Sequence, residues 1–389
     1  MTDGRRVPRA TADLEETRAA VAGARRVVVK VGSSSLTSVA GGLDHGNLRA
    51  LTDALADHRA AGHEVILVSS GAISAGIVPM GLSLRPKDLA TQQAAAGVGQ
   101  GLLMAAYTHA LAERGVVPGQ VLLTADDLIR RAHYRNAQRA VDRLLALGIM
   151  PIVNENDTVA TREIRFGDND RLAALVAHLA HADALVLLSD VDALYTAPPG
   201  NPGAEHVAYV AGPDDLAAVG IGGVGDAGVG TGGMLTKVQA ATMAADSGIP
   251  TALTAAPHVA RALAGEDFGT YFGVTHRRRQ TRLLWLAHLA ETHGTIHVDA
   301  GAARALLRRG TSLLAAGVTA VSGAFEAGDP VDVRDPAGDL IARGMVNFGA
   351  HELPGMFGMS IDELGDRFGG DYRKEVIHRN DLVLTDAVF

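Results

Sequence analysis

Lys30 and Lys237 stand where an ammonium group could meet a phosphate. Lys30 nearly ends the apolar run Arg26-Val27-Val28-Val29-Lys30-Val31, and Gly32-Ser33-Ser34-Ser35 follows. Lys237 lies one turn inside a helical pattern that opens after Gly228-Val229-Gly230-Thr231-Gly232-Gly233-Met234-Leu235-Thr236. Glycine lets backbone N–H groups approach an anion, and lysine adds a compact, mobile charge. Each segment also has a plainer reading: a turn with a snorkelling lysine, and a simple linker. Composition bears on the choice. Of 35 Lys and Arg residues, four are lysine: Lys30, Lys87, Lys237 and Lys374. Where guanidinium is the default cation, a retained ammonium invites a functional explanation.

Two further clusters are polar. Ser69-Ser70-Gly71-Ala72-Ile73, with Gly76 beyond, joins an apolar run to a helical one through small residues. Such a turn either exposes amides to an anion or lets strand and helix pack closely. The G-x-S-x-G pattern of a serine nucleophile is absent there. Asn154-Glu155-Asn156-Asp157 and Gly167-Asp168-Asn169-Asp170-Arg171 crowd Asn and acidic side chains into one segment. They suit an amine or hydroxyl ligand, or the orientation of other catalytic groups. They could also ligate a hard cation, although EF-hand spacing is missing. Asp168 or Asn169 could equally cap the helix that follows.

The glycine segment before Lys237 fits the letters G-x-G-x-x-G. No clear strand precedes it and no acidic residue lies about 20 positions on, so a dinucleotide fingerprint is disfavoured. Walker A spacing is absent as well. His178 and His181 share a helix face without an evident third ligand, and they read as packing or surface residues.

These residues need elements to hold them. Besides 26–31, apolar runs fall at Glu64 to Ser69, Gln120 to Leu123, Pro151 to Val153, Ala184 to Leu188 and Pro250 to Thr254. Helical patterns lie between them, near 47–61, 88–114, 136–147, 170–181 and 234–247. The alternation predicts an α/β fold, a largely parallel open sheet between helical layers. Sites in such sheets lie beyond the carboxyl ends of the strands, where the Gly/Ser and Asn/Asp clusters fall. Residues 1–24 are polar and read as a loose tail or short helix. Beyond about 295, short strands and turns predict a smaller β-rich domain. There Val331 to Arg334 and Leu340 to Arg343 flank Asp335-Pro336-Ala337-Gly338-Asp339, a hairpin loop.

Composition excludes several classes. A chain of 389 residues with 47% hydrophobic and 20% charged residues is a packed protein, not a disordered one. The absence of cysteine removes disulfides, thiolate catalysis and Cys-ligated zinc. A net charge of −8 offers no global attraction to nucleic acid. No apolar run is long enough to span a membrane, and the first residues lack a signal-peptide core, so a cytoplasmic protein is expected.

Taken together, the motifs resemble the amino acid kinase family. The resemblance rests on VVVKVGSSSLT, LVSSGAISAG, QQAAAGVGQ, PIVNENDTVAT, RFGDNDRLAALVA and GVGTGGMLTK, in that order. It covers roughly 26–279, and within the family it is closest to kinases that act on L-glutamate. Residues 295–375 resemble a PUA domain, a small β-barrel. The implied domains are a tail at 1–24, a kinase domain at 25–279, a linker at 280–294, the PUA domain at 295–375 and a final strand or tail at 376–389.

The resemblance implies that ATP phosphorylates the γ-carboxylate of L-glutamate, the first step of proline synthesis, with Mg²⁺ on the ATP phosphates and no direct protein metal site. It implies catalytic roles for Lys30, Lys237 and Asp170. Asp170 would orient the two lysines. Ser70, Gly71, Asp157 and Asn169 would bind substrate. Lys30, Gly32, Ser189, Asp190 and the run Thr231, Gly232, Gly233, Met234, Leu235, Thr236 and Lys237 would bind ATP. Feedback inhibition by proline and a homodimer or homotetramer are further expectations. The same fold could instead serve aspartate, an N-acetylated amino acid such as N-acetylglutamate, carbamate or a nucleoside monophosphate. A non-catalytic RNA-binding or regulatory protein is the alternative from another class. Residues 295–389 hold nine Lys/Arg and 14 Asp/Glu, which is unfavourable for phosphate-backbone binding.

Overall fold

Buried strands covered by helices organise residues 9–274, and a separate small sheet organises residues 292–384. The computed structural model describes residues 9–37, 42–129, 131–159, 169–216, 219, 233–274 and 292–384. The chain divides into two units, Met1–Arg279 and Gln280–Phe389.

In the first unit, α1 (Arg9–Ala22) leads to β1 (Arg26–Val31), α2 (Ser33–Leu36), α3 (His45–Ala60) and β2 (Glu64–Ser69). Then come α4 (Ala72–Ile77), α5 (Leu89–Ala112), β3 (Pro118–Leu123), α6 (Ala125–Ile129), α7 (Arg131–Ala146) and β4 (Met150–Glu155). After these lie α8 (Asn169–Leu179), β5 (Ala184–Ser189), β6 (Leu194–Tyr195), β7 (His206–Val207), β8 (Tyr209–Val210) and α9 (Pro213–Leu216). The unit closes with α10 (Met234–Asp246), β9 (Thr251–Ala255), α11 (Val259–Leu263) and β10 (Thr270–Phe272).

Among the described residues the main sheet has the order β3-β4-β2-β1-β5-β9-β10-β8. The six strands from β3 to β9 in that order pair in parallel, and β10 runs antiparallel to β9. The chain fills the sheet on one side of β1 with β2 and on the other with β5. The strand order therefore reverses around β1, and in open sheets of this kind ligands bind beyond the carboxyl ends of the strands at such a point.

Period-two alternation along β1 splits its side chains between the two faces. Val27, Val29 and Val31 join one core with Leu48, Leu51 and Leu55 of α3, Leu103 and Tyr107 of α5, and Val259 of α11. Val28 and Lys30 thus point to the opposite face, where α8 and α10 pack. A lysine on that face of a buried strand needs a partner there, and the site supplies one.

Residues 9–22, expected as a loose tail or short helix, form α1, and Thr17 and Val21 are buried. Arg18 Nε donates to the carbonyl of Gly265 at 2.9 Å, tying the helix to the end of α11. Polar composition concealed this packing because one narrow apolar stripe, Leu14 and Val21, with Ala24 just past the helix, suffices to dock it.

α5 has no charged residue over its 24 positions. Its N-cap Asp88 accepts from the Thr91 amide at 2.9 Å. It crosses α4 in backbone contact: a Cβ on Gly99 would strike the Ala72 carbonyl, and one on Gly76 the Ala95 carbonyl. These glycines let α5 lie close to the ends of β2 and β4.

The second unit orders its strands β12-β11-β13-β14-β15, from β11 (Gly294–Val298), β12 (Val318–Gly323), β13 (Pro330–Arg334), β14 (Leu340–Met345) and β15 (Leu382–Leu384). α12 (Ala300–Arg309) and α13 (Ile361–Phe368) accompany them. The β13–β14 hairpin turns on Asp335, whose Oδ1 accepts from the Ala337 and Asp339 amides at 2.9 and 3.0 Å. This unit has its own core, built around Ile296, Val331, Val333, Leu353 and Ile377. Among the described residues no helix is long and apolar enough to cross a membrane.

Candidate active site

Lys30, Asp170 and Lys237 come from three separate elements and meet as one ionic group. Lys30 Nζ lies 2.6 Å from Asp170 Oδ1, and Lys237 Nζ lies 3.2 Å from Asp170 Oδ2. All three are buried, with relative exposures of 3%, 0% and 6% for Lys30, Asp170 and Lys237. β1 delivers Lys30 one residue before its end, α8 delivers Asp170 in its first turn, and α10 delivers Lys237 in its first turn. Thr236 Oγ1, 3.4 Å from Asp170 Oδ2, also bonds the Gly233 carbonyl at 2.8 Å.

Burial by itself pushes the Asp170 carboxyl up. The charges of Lys30 and Lys237, and the bonds they donate, outweigh that and hold it below the usual carboxylate range. The group therefore carries two ammoniums against one carboxylate, a surplus positive charge in a desolvated place. An incoming polyphosphate would meet a field already aimed at it.

Next to this group lies an amide frame. Asn169 Nδ2 donates to the Ser69 carbonyl at 2.6 Å and to Asn154 Oδ1 at 2.7 Å, with Ser70 Oγ at 3.1 Å. Asn154, at the end of β4, in turn donates from Nδ2 to Gln100 Oε1 at 2.8 Å. The Ser70 amide donates to the Val31 carbonyl at 3.2 Å, joining the loop after β2 to the end of β1. Gly71, at the N-cap of α4, has φ of +105°, a conformation that a side chain would strain. Gly32 caps α2 beside Lys30.

The remaining expected residues are placed as follows. Asp157 is half-buried in the turn after β4. Ser189 ends β5, next to β1, and its Oγ donates to Asp190 Oδ1 at 3.0 Å. Gly233 caps α10, and Met234, Leu235, Thr236 and Lys237 form its first turn. Thr231 and Gly232 lie outside the described residues, as does Asp168. Asn169 and Asp170 are the first two residues of α8, and the Asn169 side chain turns to Ser69 and Asn154.

Sequence reasoning named Ser69 only as part of its small-residue turn and Gln100 only as the last letter of QQAAAGVGQ, and it did not single out Tyr107. Tyr107 is fully buried and its hydroxyl lies 2.8 Å from Ser69 Oγ. Burial pushes its phenol up, more than that bond pulls it down, so it stays neutral. The available signal was weak: polar side chains at 100 and 107, two turns apart, on a helix without charge.

Comparisons with known proteins show what the chain is similar to. The model of the amino acid kinase family matches residues 25–255, and that of the PUA domain matches residues 294–363. A glutamate 5-kinase from Streptomyces avermitilis is 60% identical over 372 residues, covering 95% of this chain and 99% of the relative. One from Thermobifida fusca is 57% identical over 370 residues, covering 95% of each chain. Among solved structures, a carbamate kinase from Giardia lamblia bound to AMP-PNP superposes with a TM-score of 0.50 at 16% identity, over 65% of this chain and 100% of that one. That likeness speaks to the fold.

Proposed function

This chain belongs to the amino acid kinase family, and on that premise we propose that it transfers the γ-phosphoryl group of ATP to the γ-carboxylate of L-glutamate. The products are γ-glutamyl phosphate and ADP. The observation that carries the chemistry is the buried Lys30–Asp170–Lys237 group at the carboxyl end of the central strand. The full-length likeness to glutamate 5-kinases supports the choice of acceptor.

The acceptor carboxylate is ionised at pH 7, so the reaction needs no general base. A carboxylate oxygen forms a bond to the γ-phosphorus while the bond to the β,γ-bridging oxygen breaks. Charge spreads over the transferred group and the leaving phosphate. Lys30 and Lys237 stabilise that charge, and Asp170 holds both ammoniums in place between turnovers. The glycines after β1 and β2, Gly32 and Gly71, offer backbone donors beside the phosphates. Ser70, Asp157 and Asn169 receive the amino acid, and the anionic Asp157 suits its ammonium. Ser189, Asp190 and the start of α10, from Thr231 to Lys237, receive the nucleotide.

The donor set bears on the metal. Among the described residues no three His, Asp or Glu side chains converge as a metal cage. Both Asp170 oxygens already face ammonium groups. This arrangement fits Mg²⁺ carried by the nucleotide's own phosphate oxygens, where it would neutralise β- and γ-phosphate charge. The product suits the first step of proline synthesis, and proline competing at the glutamate pocket would be the feedback signal.

An ATP-dependent hydroxamate assay with Mg²⁺ tests this reading, because hydroxylamine traps an acyl phosphate. L-Glutamate, L-aspartate and N-acetyl-L-glutamate are offered in parallel. Signal with L-glutamate alone is expected. Signal with a different acceptor would keep the fold and mechanism but replace the substrate, and folded protein silent with all three would overturn the carboxylate-kinase reading.

A further inference from the structure

The amide frame beside the ionic group contains a residue that touches neither phosphate-binding segment, Gln100 of α5. Its role follows from which atoms can donate. The Glu155 backbone N–H lies 2.8 Å from one oxygen of Asn154, and a backbone N–H can only donate. That contact identifies the atom as Oδ1. The other end of the amide is therefore Nδ2, and the Gln100 atom 2.8 Å from it is the acceptor Oε1. In the same way the Ser69 carbonyl can only accept, so the Asn169 atom 2.6 Å from it is Nδ2.

The consequence runs along the chain of amides. Gln100 holds Asn154 with Oδ1 turned to Asn169, and Asn154 and Ser69 together consume the two hydrogens of Asn169 Nδ2. Asn169 Oδ1 is the other end of that amide, and among the described residues nothing donates to it. Were Asn154 to flip, its Nδ2 would face Asn169 Nδ2 and two donors would meet. Asn169 immediately precedes Asp170, so a rotated Asn169 would also disturb the first turn of α8.

A second contact comes from the same face of the same helix. Tyr107, seven residues on from Gln100, bonds Ser69 Oγ. Seven residues are two turns, so one helix supports both acceptors of the Asn169 amide, at the end of β2 and at the end of β4. Gly99 and Gly76, which bring α5 against α4, set how close that helix lies.

We propose that Gln100 is a positioning residue: it fixes the Asn154 amide, and through it presents Asn169 Oδ1 as the acceptor for the ammonium group of the amino-acid substrate. This rests on the glutamate reading above, and wild-type turnover of L-glutamate checks that reading separately.

The test is steady-state kinetics on two variants. Gln100→Leu keeps the size and removes the acceptor. Gln100→Glu keeps an acceptor oxygen for Asn154 Nδ2. For Gln100→Leu, KM for L-glutamate is expected to rise by about tenfold or more, with KM for ATP within about twofold of wild type. Gln100→Glu is expected to restore KM for L-glutamate to within about threefold of wild type. An unchanged KM for L-glutamate in Gln100→Leu would overturn the proposal. So would equal increases for ATP and L-glutamate, or a Gln100→Glu variant as impaired as Gln100→Leu. Should Gln100→Leu fail to fold, calorimetric binding of L-glutamate to Gln100→Glu and Gln100→Ala decides the same way. Binding retained by Glu and weakened by Ala upholds the role, and equal binding by both overturns it.

Discussion

At the scale of the residue, the site is a balance of buried charge. Asp170 has no exposed surface, and two ammonium groups lie within 3.2 Å of it. Replacing it by Asn would leave both lysines desolvated without a counter-charge. Removing one partner of such a buried ionic pair costs about 3–5 kcal/mol. Asp170→Asn is therefore expected to lower the urea midpoint clearly, and to recover part of the loss when ATP and Mg²⁺ supply phosphate in its place. A variant as stable as wild type without nucleotide would contradict this. The lysines themselves were legible in the sequence because arginine is the rule elsewhere, which made Lys30 and Lys237 conspicuous. Asp170 was legible from its motif. Gln100 and Tyr107 were not, since a neutral polar residue on a helix gives no sign of which strand end it will meet. Their roles exist only once α4 and α5 are packed.

At the scale of the element, the end of α3 and the start of β2 bring together a pair of half-buried histidines. His58 near the end of α3 and His63 just before β2 stack with ring centroids 4.0 Å apart. His63 Nδ1 lies 2.8 Å from the Ala24 carbonyl, which assigns it the proton. Burial, and secondly the charge of His63, push His58 down to about 4. In the unfolded chain it would titrate near its ordinary value of about 6.5. Between those values the unfolded state holds a proton that the native state lacks. His58 thus contributes full stability above about pH 6.5, and that contribution is lost as pH falls through about 4. His58→Phe keeps a stacked ring and removes the titration. Its urea midpoint is expected to fall less than that of wild type between pH 7 and pH 5. Equal declines would show that other groups set the acid limb. The strands and longer helices were evident from apolar runs, whereas β6, β7 and β8, each two residues long, are too short to show any periodicity. The antiparallel β10 escaped for a similar reason, at three residues.

At the scale of the whole molecule, the largest cores described in the two units are built from different residues. The proposed substrate, nucleotide and catalytic residues all fall in the first unit. The β-rich character of the second unit was legible from its spaced turns, and its acidic balance argues against an RNA backbone as its partner. The central claim is that the two buried ammonium groups drive phosphoryl transfer. The most direct measurement is kcat and both KM values for Lys237→Met, with L-glutamate and ATP. Methionine retains the apolar stem and removes the charge. The account predicts a fall in kcat on the order of 10³, with KM for L-glutamate within about threefold of wild type. A kcat within about tenfold of wild type, from a folded variant, would contradict it.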